Sequence, residues 1–156
     1  MTAPSIHASA VLVGARAALI RGPSGSGKSR LALALLQAGR SGLMPFARLV
    51  GDDRVHVEAR HGRLLVRPAP ALAGLIEIRG AGIRQVEFEP LAVAGWVIDL
   101  AAPDAERLPS AEAWAQIEGV RLARLAVAPG ADPWPAVWAF AAGLPPHPPR
   151  SPYKAA

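Results

Sequence analysis

The sequence predicts an α/β fold: a β-rich, mixed or largely antiparallel sheet built around one loop-and-helix unit. Three observations carry this. First, Gly22-Pro23-Ser24-Gly25-Ser26-Gly27-Lys28-Ser29 lies between an apolar run, Ala17-Ala18-Leu19-Ile20, and a helix-like run, Arg30-Leu31-Ala32-Leu33-Ala34-Leu35-Leu36. That is a strand, a glycine-rich loop and a helix in succession. Second, short apolar or alternating runs follow one another between residues 46 and 100. Third, no helical period long enough to be a crossover separates those runs. Neighbouring parallel strands need a connection of about a dozen residues or more, usually helical, so antiparallel pairing is expected to dominate.

Taken in order, residues 1–10 read as a short leader whose only ionisable side chain is His7. Residues 11–13, a turn at Gly14 and residues 17–21 read as a hairpin. The helix after the loop is expected over about 28–38, closed by Gly39 as a left-handed cap. Strands are expected at 46–50, 55–58, 64–66, 75–79, 86–89, 96–100 and 122–127, with a turn at His61-Gly62 and a break at Gly80-Ala81-Gly82. A second helix is signalled by Asp132 as N-cap and Pro133 at the first helical position, running through 136–142 to Gly143. Trp134, Val137, Trp138 and Ala141 have helical spacing and are expected in the core. Residues 144–156 hold five Pro and read as an extended or disordered tail.

Composition narrows the functional classes. The chain has 156 residues, enough for one domain with a real core. It has no Cys, hence no disulfide, thiol nucleophile or Cys-ligated metal. No apolar run approaches the ~18 residues that span a membrane, and the N-terminus lacks the pattern of a signal peptide. A cytoplasmic protein without a membrane partner is therefore expected. The net charge is +5, but the Arg residues are scattered singly with few aromatics among them, which argues against nucleic acid as partner. A bound polyanion and an acidic protein partner are the expected reasons for the charge.

The loop matches G-x-x-x-x-G-K-[ST] at every fixed position. In such loops the glycines bring backbone N–H groups close to a phosphate, and the helix N-terminus adds partial positive charge. The residues Gly22 to Ser29 are thus the expected nucleotide-phosphate cradle. Lys28 is expected at the β- and γ-phosphates and the Ser29 hydroxyl at Mg²⁺. The chain has fifteen Arg and only two Lys, Lys28 and Lys154, so lysine appears ahead of the tail only where a compact ammonium is needed. Asp52 and Asp53 follow an apolar strand, and adjacent residues at a strand end can point to opposite sides. One can serve a metal and the other accept a proton; the alternative is an ordinary Asp-Asp turn. Glu77 is either a second Mg²⁺ ligand or the surface partner of Arg79. His7 is suited to a phosphate contact, or is simply an exposed histidine. His56, His61 and His147 lack metal-ligand spacing.

His7, the loop, Val50-Gly51-Asp52-Asp53 and Leu75-Ile76-Glu77-Ile78-Arg79-Gly80-Ala81-Gly82-Ile83 occur in that order. Together they resemble HPr kinase/phosphorylase, over about residues 6–100. The resemblance implies an ATP- and Mg²⁺-dependent enzyme that phosphorylates a serine of the phosphocarrier HPr and removes it by phosphorolysis, in control of the phosphotransferase system and carbon metabolism. It implies a P-loop-containing fold like phosphoenolpyruvate carboxykinase, with residues 1–143 as the catalytic domain. By the same resemblance Asp52 matches the catalytic aspartate, Lys28 and His7 lie at the phosphates, and Ser29, Asp53 and Glu77 lie at or near the metal. A homo-oligomer is also implied. Typical members carry an additional N-terminal domain and an Arg-rich catalytic loop further on; Arg107, Arg121 and Arg124 are the candidates here. A small-molecule kinase and a non-catalytic ATP sensor are the alternatives.

Overall fold

The computed structural model describes residues 4–44, 46–106 and 113–144. The proline-rich tail, apart from Leu144, lies outside the described residues, as does Arg107. In order, the elements are β1 (Ser5–Ile6), β2 (Ser9–Val13), β3 (Arg16–Arg21), α1 (Lys28–Ser41), β4 (Ala47–Gly51), β5 (Val55–Arg60) and β6 (Arg63–Pro68). A single 3-10 turn (Pro70–Leu72) leads to β7 (Leu75–Ile78), β8 (Gly82–Gln85), β9 (Ala92–Asp99), β10 (Trp114–Ile117), β11 (Val120–Ala126) and α2 (Trp134–Ala141). None of the described helices is long and apolar enough to cross a membrane.

The main sheet has nine strands along the path β1-β5-β6-β9-β3-β2-β4, and β11 joins β9 with β10 beyond it. The sheet forks at β9. Its first residues pair antiparallel with β6, and its later ones run parallel to both β3 and β11. The remaining strand pairs are antiparallel, so the sheet is mixed. β7 and β8 form a separate antiparallel hairpin.

Strand periodicity divides the interior into two cores. Ile20, Leu49 and Ile98 face α1, with Leu31, Leu35 and Met44, while Leu19, Val50 and Val97 face the layer of Val57, Leu64 and Val66. Because both faces are covered, β3 and β9 read as continuous apolar runs without polar alternation.

α1 buries Leu31, Ala32, Leu35 and Ala38 on one face. It runs past Gly39 and ends at Gly42, whose φ of 82° makes it the left-handed cap. Gly39 is needed inside the helix: a Cβ there would lie 2.7 Å from Ala47 Cβ and 2.8 Å from its amide nitrogen. The glycine permits close approach of α1 to β4, and the expected stop at Gly39 is corrected accordingly.

Three other expectations change. Residues 86–89 are not a strand of their own. They lie along the free edge of β4 through a bridge between Leu49 and Phe88 and a 2.8 Å bond from Glu89 N–H to Leu49 O. That contact accounts for their alternation. The expected leader is structural, since β1 pairs with β5 and β2 is a central strand. The second helix begins at Trp134, with Pro133 at its cap and the Asp132 carboxylate accepting the Trp134 N–H at 3.1 Å. Of its expected core stripe, Val137 is fully buried and Trp134 and Ala141 pack against the core, but Trp138 is exposed. Phe140, also exposed, stacks on Trp96 with ring centroids 4.5 Å apart.

Candidate active site

The site is assembled where β3 and β4 end and β2 begins, at the N-terminus of α1. β4 carries Leu49, Val50 and Gly51 into the interior. Asp53 then takes a left-handed conformation, φ 68°, and the Arg54 N–H closes a turn on Asp52 O at 2.8 Å. Aspartate tolerates this conformation better than most side chains. The turn separates the two neighbours: Asp52 is buried, 5 % exposed, while the Asp53 side chain is 65 % exposed.

Asp52 is held by three groups. Ser29 Oγ donates to it, 2.8 Å from Oδ1 and 3.0 Å from Oδ2. Ser9 Oγ donates to Oδ1 at 2.6 Å, and the backbone N–H of Glu77 donates to Oδ2 at 3.1 Å. The Glu77 side chain is exposed and forms no ion pair with Arg79 among the described residues. Just outside, His7 Nε2 lies 2.7 Å from Asp53 Oδ1. Thus Ser29 and Asp52 are brought together, His7 and Asp53 are brought together, and Glu77 meets Asp52 through its backbone. No group of three or more His, Asp or Glu side chains converges as a metal cage among the described residues.

The groups of the loop suit an anion. Lys28 is buried, and its ammonium donates to Gly22 O at 2.9 Å and Pro23 O at 3.1 Å. Gly25 and Gly27 have φ of 81° and 100°. No side chain caps α1 and no acid lies in its first turn, so the first N–H groups have no side-chain acceptor. Ser26 Oγ is buried without a hydrogen-bond partner. An unmatched buried hydroxyl is costly, and an acceptor such as a phosphate oxygen would satisfy it. Any Cβ at position 22 would come within 2.5 Å of that hydroxyl.

The entrance to the loop is braced from β9 and β11. Arg21, the residue before Gly22, donates from Nε and Nη2 to the two Asp99 oxygens at 2.8 and 2.9 Å. Arg124 donates from Nε to Asp99 at 2.6 Å and from both Nη atoms to Asp104 at 2.8 and 3.0 Å. Burial pushes the Asp99 carboxyl up, but hydrogen bonds and charge from Arg21 and Arg124 outweigh it and hold the group below the usual carboxylate range. The carboxylates of Asp104 and Asp99 raise Arg124 further above its already high value. Arg124 is therefore occupied within this network. Arg121 lies over the Trp114 ring, 4.4 Å from its centroid.

A family model described as HPr Serine kinase C-terminal domain matches residues 2–89. The chain belongs to this family. Within the HPr Serine kinase C-terminal domain match lie His7, the whole loop, Asp52, Asp53 and Glu77. The curated relatives include HPr kinase/phosphorylase of Streptococcus thermophilus, 45 % identical over 83 residues, which are 53 % of this chain and 25 % of that protein. HPr kinase/phosphorylase of Limosilactobacillus reuteri is also 45 % identical over 83 residues, or 24 % of its length. The alignments thus span about a quarter of these relatives. A solved structure titled Hpr(Ser) kinase/phosphatase from Coxiella burnetii superposes with a TM-score of 0.71 at 21 % identity, over 90 % of this chain and 94 % of that one. At that identity it supports the fold.

Two parts of the site were not singled out in the sequence. Ser9 had a weak signal, a lone hydroxyl inside the apolar run Ala8-Ser9-Ala10-Val11. The Arg21–Asp99 pair had another, an apolar strand ending in an acid one register step from the loop.

Proposed function

We propose that this chain is an ATP- and Mg²⁺-dependent serine kinase of the cytoplasm, acting on the phosphocarrier HPr or a paralogue, and that its loop and sheet are a P-loop core like phosphoenolpyruvate carboxykinase. The observation that carries the reading is the contact between Ser29, at the helix start, and the buried carboxylate of Asp52. Phosphoryl transfer is mainly positioning and charge stabilisation, and this pair sets a carboxylate beside the end of a phosphate cradle. The family match and the names of its relatives support the choice of substrate.

The residues divide the work. The backbone of Gly22 to Ser29, including Pro23, Ser24, Gly25 and Gly27, encloses the phosphates, and Ser26 Oγ donates to one of their oxygens. Lys28 turns its ammonium from the loop carbonyls toward the β- and γ-phosphates. Bound Mg²⁺ neutralises charge on the phosphates. Ser29, Asp53 and Glu77 are the proposed ligands. All three border Asp52: Ser29 by its hydroxyl, Glu77 by its N–H and Asp53 as chain neighbour. Mg²⁺ keeps several waters and needs only one or two carboxylates, so the lack of a three-carboxylate cage is compatible with this set. Asp52 accepts the proton of the attacking seryl hydroxyl, and His7, on Asp53 at the mouth, contacts the phosphate being moved.

The test is incubation with γ-labelled ATP, Mg²⁺ and HPr, for the wild type and Asp52→Asn. Label on a serine of HPr is expected, with kcat reduced by about 10²–10⁴-fold in the variant and ATP binding retained. The carboxyl that takes the proton forward returns it in phosphorolysis, so release of pyrophosphate from phosphoserine and phosphate should fall in parallel. ATP binding without transfer to HPr by the wild type would refute the kinase reading and leave a nucleotide sensor. An active Asp52→Asn would refute the role of Asp52.

A further inference from the structure

We propose that Ser9 is a positioning residue that sets the Asp52 carboxylate against the phosphate loop; this rests on the reading of Asp52 as proton acceptor. Ser9 is fully buried, between Ala8 and Ala10, which are also fully buried. A hydroxyl in such a place costs free energy unless it is matched, and this one is matched on both sides. It accepts the Asp53 N–H at 3.3 Å and donates to Asp52 Oδ1 at 2.6 Å. A hydroxyl has one proton to give. An ionised carboxylate and an amide N–H on either side fix its direction, so the proton points at Asp52.

The topology explains why this hydroxyl matters. β2 pairs with β3 through Ser9 and Ile20, and with β4 through Ala10 and Gly51. The strand that leads into the loop and the strand that runs into Asp52 are thus both registered on the segment carrying Ser9. Ser29 also holds Asp52, but its oxygen is the one assigned to the metal, so its position follows the bound ligand even though its proton can still point at Asp52. The other donors are Ser9 on Oδ1 and the Glu77 N–H on Oδ2. One belongs to the main sheet and the other to the separate β7–β8 hairpin. Of these two donors, Ser9 is the one on the sheet that also carries the loop.

The experiment compares the full chain as wild type, Ser9→Ala and Ser9→Thr, each with and without Asp52→Asn. Steady-state transfer from ATP to HPr is measured at saturating Mg²⁺. Small displacements of a reacting group can cost about 10²-fold. Ser9→Ala should lower kcat by about 10–100-fold with the KM for ATP changed less than about threefold. Ser9→Thr, which keeps the hydroxyl, should recover most of kcat. In the Asp52→Asn background Ser9→Ala should cost less than about twofold, because the group it positions is gone. Equal losses in both backgrounds, or an unchanged kcat in Ser9→Ala, would overturn the proposal. A second readout is independent of activity. The Glu77 amide donates to the same carboxylate, so its ¹⁵N–¹H resonance should move in Ser9→Ala and return toward the wild-type position in Ser9→Thr. If the wild type transfers no phosphate, the kinase reading fails, and the amide resonance decides the Ser9–Asp52 link. An unmoved resonance overturns it. Should Ser9→Ala fail to fold, Ser9→Cys, a near-isosteric weak donor, replaces it with the same expected direction in kcat and resonance.

Discussion

Replacing Asp99 by Ala removes the charge that joins the loop entrance to β11. Asp99 accepts bonds at 2.8, 2.9 and 2.6 Å from Arg21 and Arg124. Side-chain exposures are 15 % for Asp99, 19 % for Arg124 and 33 % for Arg21. Removing one partner of a fully buried ion pair costs about 3–5 kcal/mol, chiefly because the other charge is stranded. Here Arg21 has partial access to water and Arg124 keeps Asp104, so about 2–3 kcal/mol is expected. For a chain of this size, about 2–4 °C of Tm accompanies each kcal/mol, giving a fall of roughly 5–10 °C. Urea unfolding with an unchanged m-value measures it. The pH dependence has a definite sign. The folded Asp99 carboxyl lies below its unfolded value, so its contribution is present above the unfolded pKa of about 3.9. It is lost as pH falls through the folded value. The gap between wild type and variant should be constant from pH 7 to about 5 and close below about pH 4. A gap under about 0.5 kcal/mol at pH 7, or one that widens on acidification, would refute the reasoning.

Two further outcomes follow from the same structure. Lys28→Ala should abolish ATP binding in a titration yet cost only about 1 kcal/mol of stability, since the two carbonyls it leaves lie on a loop open to water; tight ATP binding by the variant would refute the assignment of the loop. Gly39→Ala should destabilise. The gain in helix propensity is about 1 kcal/mol, but the added Cβ meets the Ala47 backbone at 2.8 Å, and overpacking of this kind costs about 1–3 kcal/mol. A raised Tm would show that α1 can move off β4 without loss.

What the sequence disclosed depended on whether the signal was local. The loop, α1 and most of the strands between 46 and 100 are encoded by contiguous patterns. The antiparallel character followed from the absence of helical connections, which is a statement about short spans. The ends of elements were less legible, because Gly39 and Gly42 both qualify as a stop and only the packing of α1 on Ala47 tells them apart. β1, with two residues, has no period to read, and its pairing with β5 is a long-range event. The site shows the same division. The loop and the aspartate pair are local motifs, whereas Ser9 acquires its meaning from a contact 43 positions away in the chain.

The two carboxylates that end strands near the loop illustrate why placement has to be argued from partners. In P-loop enzymes a strand-end aspartate works with the loop Ser or Thr at the metal. By neighbourhood Asp99 has the stronger claim: β9 is hydrogen-bonded parallel to β3, and Asp99 is in register with Arg21, the last residue before the loop. Asp52 directly follows β4, which is separated from β3 by β2. Yet Asp99 has both oxygens engaged by guanidinium groups, Arg21 on Oδ1 and both arginines on Oδ2, and a divalent cation there would face two fixed positive charges at short range. Among the described residues the donors to Asp52 are neutral, two hydroxyls and an amide. One of those hydroxyls belongs to Ser29, at the start of the helix that leaves the loop. A carboxylate with no guanidinium on it is free to take a proton beside a cation held by Ser29. On the proposed reading the adjacent strand supplies the brace and the turn after the more distant one the proton acceptor, and β2, which lies between β3 and β4, carries the serine proposed to position it.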